Sequence, residues 1–139
     1  ITKFEASNFA GRIAGEGKGV DLESYISAKD ARAMDSFIHF GIAAAAQAVQ
    51  DAGLPTGEAL DDELATRIAC VIGSGIGGLP LIENTHIEYA ARGPRRITPF
   101  FVPASIINMV AGHVSMRFGF KGPNLSVVTA CTTGLHCIG

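Results

Sequence analysis

The densest run of apolar positions lies between residues 35 and 52, where Phe37, Ile38, Phe40, Ile42, Ala43, Ala44, Ala45, Ala46 and Val49 leave few polar interruptions. A segment apolar almost all round predicts a buried helix over 35–52, and Gly53 supplies its stop. Just upstream, Ser27 followed by Asp30 has the form of a capping box, so a helix is predicted to start there. Residues 1–26 are Gly-rich, lack a period and read as mostly loop, and 54–66 read as an acidic, polar loop. The run Ile68-Ala69-Cys70-Val71-Ile72 is short, apolar and followed by Gly, which predicts a strand buried on both faces. A Gly-rich turn and a helix over 79–92 follow, ended by Gly93-Pro94. Pro103 is predicted to open a helix over 104–118, closed by Gly119. After a turn at Lys121-Gly122-Pro123, residues 125–129 predict a second strand, and a helix is predicted from Cys131 onward. Strands alternating with helices imply an α/β architecture with a buried sheet.

A length of 139 residues fits one domain. An apolar share of 47% against a charged share of 17% is the composition of a core-rich globular chain. The net charge of -2 carries no basic signature, so no nucleic-acid partner is expected. The most apolar stretches, 37–46 and 99–112, are too short or too interrupted to cross a bilayer. No charged segment leads into an apolar run, so no signal peptide is visible. The expected setting is cytoplasmic, with no membrane partner. Cys70, Cys131 and Cys137 form no CxxC pair and are expected to be free thiols. No Cys/His cluster or H-x-x-x-H is present, and no metal site is expected.

Two segments carry candidate chemistry. Gly73, Gly75 and Gly78 match G-x-G-x-x-G between a predicted strand and helix, the context of a dinucleotide site. The rest of that fingerprint is missing. The helix leads to Gly93-Pro94-Arg95-Arg96, not to a strand ending in an acid, although the arginines would suit a 2'-phosphate. The simpler reading is that the glycines permit tight turns and close backbone approach. The second segment is Thr129-Ala130-Cys131-Thr132-Thr133-Gly134. A strand running straight into a helix with a small nucleophile at the junction follows the logic of a nucleophile elbow. Free N–H groups and the positive end of the helix favour thiolate over thiol and could hold an oxyanion. Free cysteines are also commonly buried and inert, so the spacing leaves a reactive and a structural reading both open. Cys70 and Cys137 read as core residues. His39 and His113 read as satisfied core or interface residues and His86 as exposed. His136 reads as a poor base, since five positions of helix turn it away from Cys131.

The segment Val127-Val128-Thr129-Ala130-Cys131-Thr132-Thr133-Gly134 resembles the nucleophile segment of the β-ketoacyl-acyl-carrier-protein synthases, in the thiolase-like superfamily. Three more stretches match in order: Ile72-Gly73-Ser74-Gly75-Ile76-Gly77-Gly78, Pro99-Phe100-Phe101-Val102-Pro103, and Asn108-Met109-Val110-Ala111-Gly112-His113. Together they cover nearly the whole chain and look most like the synthase II members of the family. Synthase I and polyketide ketosynthases are the close alternatives. The resemblance implies part of the N-terminal half of a thiolase-like layered α/β/α/β/α fold. It implies fatty-acid elongation by acyl transfer to Cys131, then decarboxylative Claisen condensation with malonyl-carrier protein. The backbone N–H of Cys131 would be half of an oxyanion hole. Ile76 matches a gating position of the acyl pocket, and Gly75, Leu79, Ile82 and Phe101 match other pocket positions. Phe101 would come from the partner subunit of a homodimer. Arg95 and Arg96, with Lys29 and Arg32, match docking positions for acyl carrier protein, whereas Ala33 stands where a basic residue is usual. No cofactor is implied beyond the phosphopantetheine that carries the substrates.

The resemblance places two catalytic histidines, a lysine and the second oxyanion donor well downstream of the cysteine. None of His39, His86, His113 or His136 matches them. The chain is therefore expected to be an internal segment, 1–139, of a partial ketosynthase domain, without the opening strand and the C-terminal half, and inactive alone. Two competing classes are a nucleotide-binding module built on Gly73–Gly78 and a non-catalytic partner of the chain-length-factor kind. Partners of that kind typically lack the active cysteine, which this chain has.

Overall fold

The computed structural model of the chain describes residues 1–139. Ser27 accepts the N–H of Asp30 and opens α1 (Ala28–Ala31). Asp35 then stands at the N-cap of α2 (Ser36–Asp51), and Gly53, at φ 61°, ends it. Helix α2 packs along α6 (Met109–Phe118). Gly41 allows the approach, because a Cβ there would stand 2.3 Å from Val110 Cγ1. Ile38 and Ile42 of α2 meet Val110, Ala111 and Val114 of α6, and Ile26, Cys70 and Phe120 close the cluster.

The sheet is a single parallel pair. β1 (Cys70–Val71) lies beside β2 (Asn124–Leu125), with Cys70 opposite Asn124 and Val71 opposite Leu125. Asn124 ties β2 to α6 by donating its side-chain N–H to Ala111 O at 2.9 Å. Helix α4 (Leu79–Arg92) follows the Gly-rich turn, and α5 (Phe101–Ser105) packs on it.

Several predicted elements differ. Helix α2 is buried on one face only: Ile38, Ile42 and Ala43 are inside, while Phe40, Ala44 and Ala48 meet solvent. The supposed acidic loop 54–66 holds a short 3-10 turn and α3 (Asp62–Arg67). Its acids are helix-start residues. Asp61 accepts the N–H of Leu64 at 2.8 Å, and Asp62 and Glu63 sit at the positive end of the helix. The strand expected over 68–72 shrinks to two residues with Cys70 buried and Ala69 exposed, so it is not covered on both faces. The helix expected over 104–118 is two helices, because Ser105 O accepts the N–H of Gly78 at 3.0 Å and does not continue a helical ladder. The second strand ends at Leu125 rather than Thr129. From there Ser126 Oγ donates to Ile72 O at 2.6 Å and the chain turns away from the pair. Regular helix begins not at Cys131 but at Thr133, with α7 (Thr133–His136) preceded by a 3-10 turn over Ala130–Thr132.

Candidate functional site

Cys131 lies in that 3-10 turn and is exposed. The bend before it is sharp: Thr129 is at φ -138°, ψ 40°, and Ala130 at φ 52° is the only non-glycine residue of positive φ. A Cβ residue is disfavoured there, so the surroundings must hold it. The holding contacts converge on Thr129. Its N–H donates to Thr133 Oγ1 at 2.9 Å. Its carbonyl oxygen accepts from Thr132 Oγ1 at 2.7 Å and from Thr132 N–H at 3.2 Å. Its hydroxyl is 2.7 Å from His136 Nδ1. His136 thus turns its ring to Thr129, in keeping with its reading as a poor base.

The Gly-rich turn lies directly against this bend. A Cβ on Gly73 would stand 2.1 Å from Val127 O and 2.5 Å from Thr133 Cγ2, and one on Gly75 would stand 3.6 Å from Ala130 O. Gly77, at φ 83°, donates its N–H to Ser74 Oγ at 3.1 Å, and Gly78 donates to Ser105 O. Gly77 and Gly78 thus spend two of the turn's backbone donors within the chain, and Gly73, Gly77 and Gly78 stand where a Cβ would collide with neighbouring backbone, as close packing requires.

Of the predicted pocket residues, Gly75 and Ile76 stand in the turn beside the Cys131 bend, with Ile76 67% exposed. Leu79 and Ile82 occupy the first turn of α4 three residues apart, on one face, at 49% and 41% exposure. Phe101 opens α5 and is half-buried. The carboxylate of Asp35 links this region to the core by accepting the N–H of Leu81 at 2.8 Å. Sequence reasoning passed over that role of Asp35, since an N-cap residue looks the same whether it caps its own helix or another. It also passed over the three threonines around Cys131, whose clustering was visible.

The basic residues fall on two separate elements. Lys29 lies in α1 and Arg32 caps it, while Arg95 and Arg96 form a 3-10 turn beyond α4. All four are exposed, and Arg96 Nε lies 3.4 Å from Glu88, which also pairs with Arg92 at 3.2 Å. Cys70 is buried and desolvation pushes its thiol pKa up. Cys137 is half-buried. His39 Nε2 lies 3.0 Å from Ala31 O, as expected of a satisfied histidine.

A family model described as the β-ketoacyl synthase N-terminal domain matches residues 3–139. The 3-oxoacyl-[acyl-carrier-protein] synthase 2 of Vibrio cholerae is 54% identical over 139 residues, covering 100% of this chain and 33% of its own. The synthase 2 of Coxiella burnetii is 47% identical, again over 100% of this chain and 33% of its own. The chain spans about a third of the length of the curated relatives it matches. Among solved structures, a type II polyketide acyl-carrier protein in complex with its ketosynthase gives a TM-score of 0.72 at 25% identity, over 86% of this chain and 33% of the other. The ishigamide ketosynthase/chain length factor gives 0.72 at 23% identity, over 93% and 32%, a likeness of fold.

Proposed function

The chain belongs to the β-ketoacyl synthase N-terminal domain family, and on that premise we propose that it is the nucleophile-bearing part of a 3-oxoacyl-acyl-carrier-protein synthase that elongates fatty acids. Its fold is an α/β segment of the thiolase-like ketosynthases. The observation that carries the reading is the exposed Cys131 on a strained bend, set against the Gly-rich turn.

In this reading Cys131 Sγ attacks the thioester carbon of an acyl chain carried on phosphopantetheine. A C–S bond forms to Cys131, and the carrier thiol leaves with a proton. Malonyl-carrier protein then loses CO2, and its carbanion attacks the acyl-Cys131 thioester. The new C–C bond releases the cysteine sulfur and yields a β-ketoacyl chain two carbons longer. The N–H of Cys131 would donate to the oxyanion formed at each attack on that carbonyl, a contribution that is typically large. Gly75, Ile76, Leu79, Ile82 and Phe101 would line the acyl pocket. The exposed apolar side chains of Phe100, Val102 and Ile106 beside Phe101 suit contact with a second copy, and a homodimer is proposed. Lys29, Arg32, Arg95 and Arg96 would dock the acidic carrier protein. No helix is long and apolar enough to cross a membrane. In this reading the enzyme would act in the cytoplasm on carrier-bound substrates, with no cofactor besides their phosphopantetheine.

The histidines and lysine implied by the resemblance have no counterpart in residues 1–139. These residues alone are expected to accept an acyl group at most, and condensation is a property of the longer protein. The test uses that longer protein with acyl- and malonyl-carrier protein. The peptide containing Cys131 should gain the mass of the acyl group, and Cys131→Ala should abolish both the adduct and malonyl-dependent C–C bond formation. Condensation retained by Cys131→Ala would overturn the reading.

A further inference from the structure

Ala130 does not favour a left-handed backbone, yet the direction of Cys131 depends on it. If Ala130 relaxed to negative φ, the next peptide would rotate and carry the cysteine with it. Something must therefore hold the bend, and the contacts on the page converge on one residue. Thr129 is engaged at its N–H by Thr133, at its carbonyl by Thr132 and at its hydroxyl by His136. Thr133 is the buried member, 4% exposed, and its methyl group is pressed against the site where Gly73 has no Cβ. Thr133 is thus fixed by packing, and Thr132 and His136 add their hydrogen bonds to Thr129 from the same side of the bend. We propose that Thr129, gripped at its three polar atoms by Thr133, Thr132 and His136, is the anchor that holds Ala130 left-handed and so aims Cys131 at the acyl thioester. Thr129, Thr133 and His136 are positioning residues, acting on the reaction through Cys131 without touching the reacting atoms.

The inference rests on Cys131 being the acylated nucleophile. It explains why three hydroxyl residues surround a cysteine that needs no hydroxyl for its own chemistry. It also gives His136 a function other than proton transfer, because its Nδ1 is bonded to the Thr129 hydroxyl. A nucleophile displaced by a fraction of an ångström acylates slowly even when substrate still binds, because the reacting geometry is lost and affinity is not.

The experiment compares paired variants in the longer protein. Thr133→Val removes the hydroxyl at nearly constant volume, and Thr133→Ser restores it. Thr129→Val and Thr129→Ser form a second pair, and His136→Ala and His136→Asn a third, with Asn offering a polar atom near the place of Nδ1. Each is assayed for the rate of Cys131 acylation by an acyl-pantetheine thioester, for KM, and for thermal midpoint. Thr133→Val and Thr129→Val should each lower the acylation kcat roughly tenfold with little change in KM. The serine variants should recover most of that rate, and His136→Asn should exceed His136→Ala. A serine variant no faster than its valine partner, or a Thr133→Val enzyme that acylates at the wild-type rate, would overturn the proposal. If Thr133→Val does not fold, the exposed Thr129 and His136 pairs decide on their own. Cys131→Ala separates the two levels. An inactive Cys131→Ala enzyme beside normal clamp variants would refute the clamp alone, whereas an active one would refute the nucleophile beneath it.

Discussion

Gly73 and Val127 touch through the place where a side chain would be: a Cβ on Gly73 would stand 2.1 Å from the Val127 carbonyl oxygen. The two residues come from two motifs more than fifty positions apart, and the contact joins the Gly-rich turn to the Cys131 bend. The obstructing atom belongs to the backbone and cannot swing aside. Gly73→Ala is therefore expected to destabilise the longer protein by about 1–3 kcal/mol, the usual cost of overpacking, and to slow acylation of Cys131. Gly112→Ala is the contrast. A Cβ there meets nothing within 4 Å, and the position is inside α6, so about 1 kcal/mol of stabilisation is expected from helix propensity. Denaturant unfolding of both variants is the check, and like signs would refute the packing argument.

Cys131 should be the first thiol labelled and Cys70 the last. Cys131 is exposed, Cys70 is 6% exposed, and burial raises the Cys70 pKa so that less thiolate forms. Iodoacetamide at neutral pH, followed by peptide mapping, gives the order. Preferential labelling of Cys70 would contradict it.

Ile76→Phe should restrict the longer enzyme to short acyl primers. Ile76 is 67% exposed and follows Gly75, which lies against Ala130, so a larger side chain there would take up space beside the Cys131 bend. Turnover measured across a series of primer lengths is the readout. A profile unchanged from wild type would remove Ile76 from the pocket.

Replacing Arg95 and Arg96 together by Glu should raise KM for acyl-carrier protein while sparing a small acyl thioester. Charges at a rim act mainly on association rate and its salt dependence. The Arg96–Glu88 pair is exposed, so its loss should cost little stability. Equal losses on both substrates would point to a damaged fold and not to docking.

His113 predicts a pH effect on stability. Burial lowers its pKa from the ordinary 6.5, and the carboxylate of Asp30 opposes the shift. Asp30 and Arg117 share its cavity with Ile26, Met34, Ile42 and Met116. The folded state binds the proton less readily than the unfolded one. Stability from this group is thus complete above about pH 6.5 and is lost as pH falls through the lowered value. The thermal midpoint should fall between pH 7.5 and 5.5, and His113→Gln should flatten the slope. An identical slope in the variant would assign the effect to other groups.

The sequence by itself determines the features whose signals are local. The bounds of α2 and α4 are legible because Asp35, Gly53, Gly78 and Gly93 act within a turn of the helices they delimit. Cys131 at a junction is legible for the same reason, as are the free thiols. The tertiary structure decides the rest. The break between α5 and α6 is not written in residues 104–118, because what stops the helix is Gly78, whose N–H takes the carbonyl of Ser105. Which face of α2 is buried is likewise settled by α6, since a helix apolar all round carries no preference. The left-handed backbone of Ala130 is the furthest from the sequence. Alanine signals no such turn, and the conformation exists only where Thr129 is held by its neighbours and Gly73 lets the bend close against the sheet.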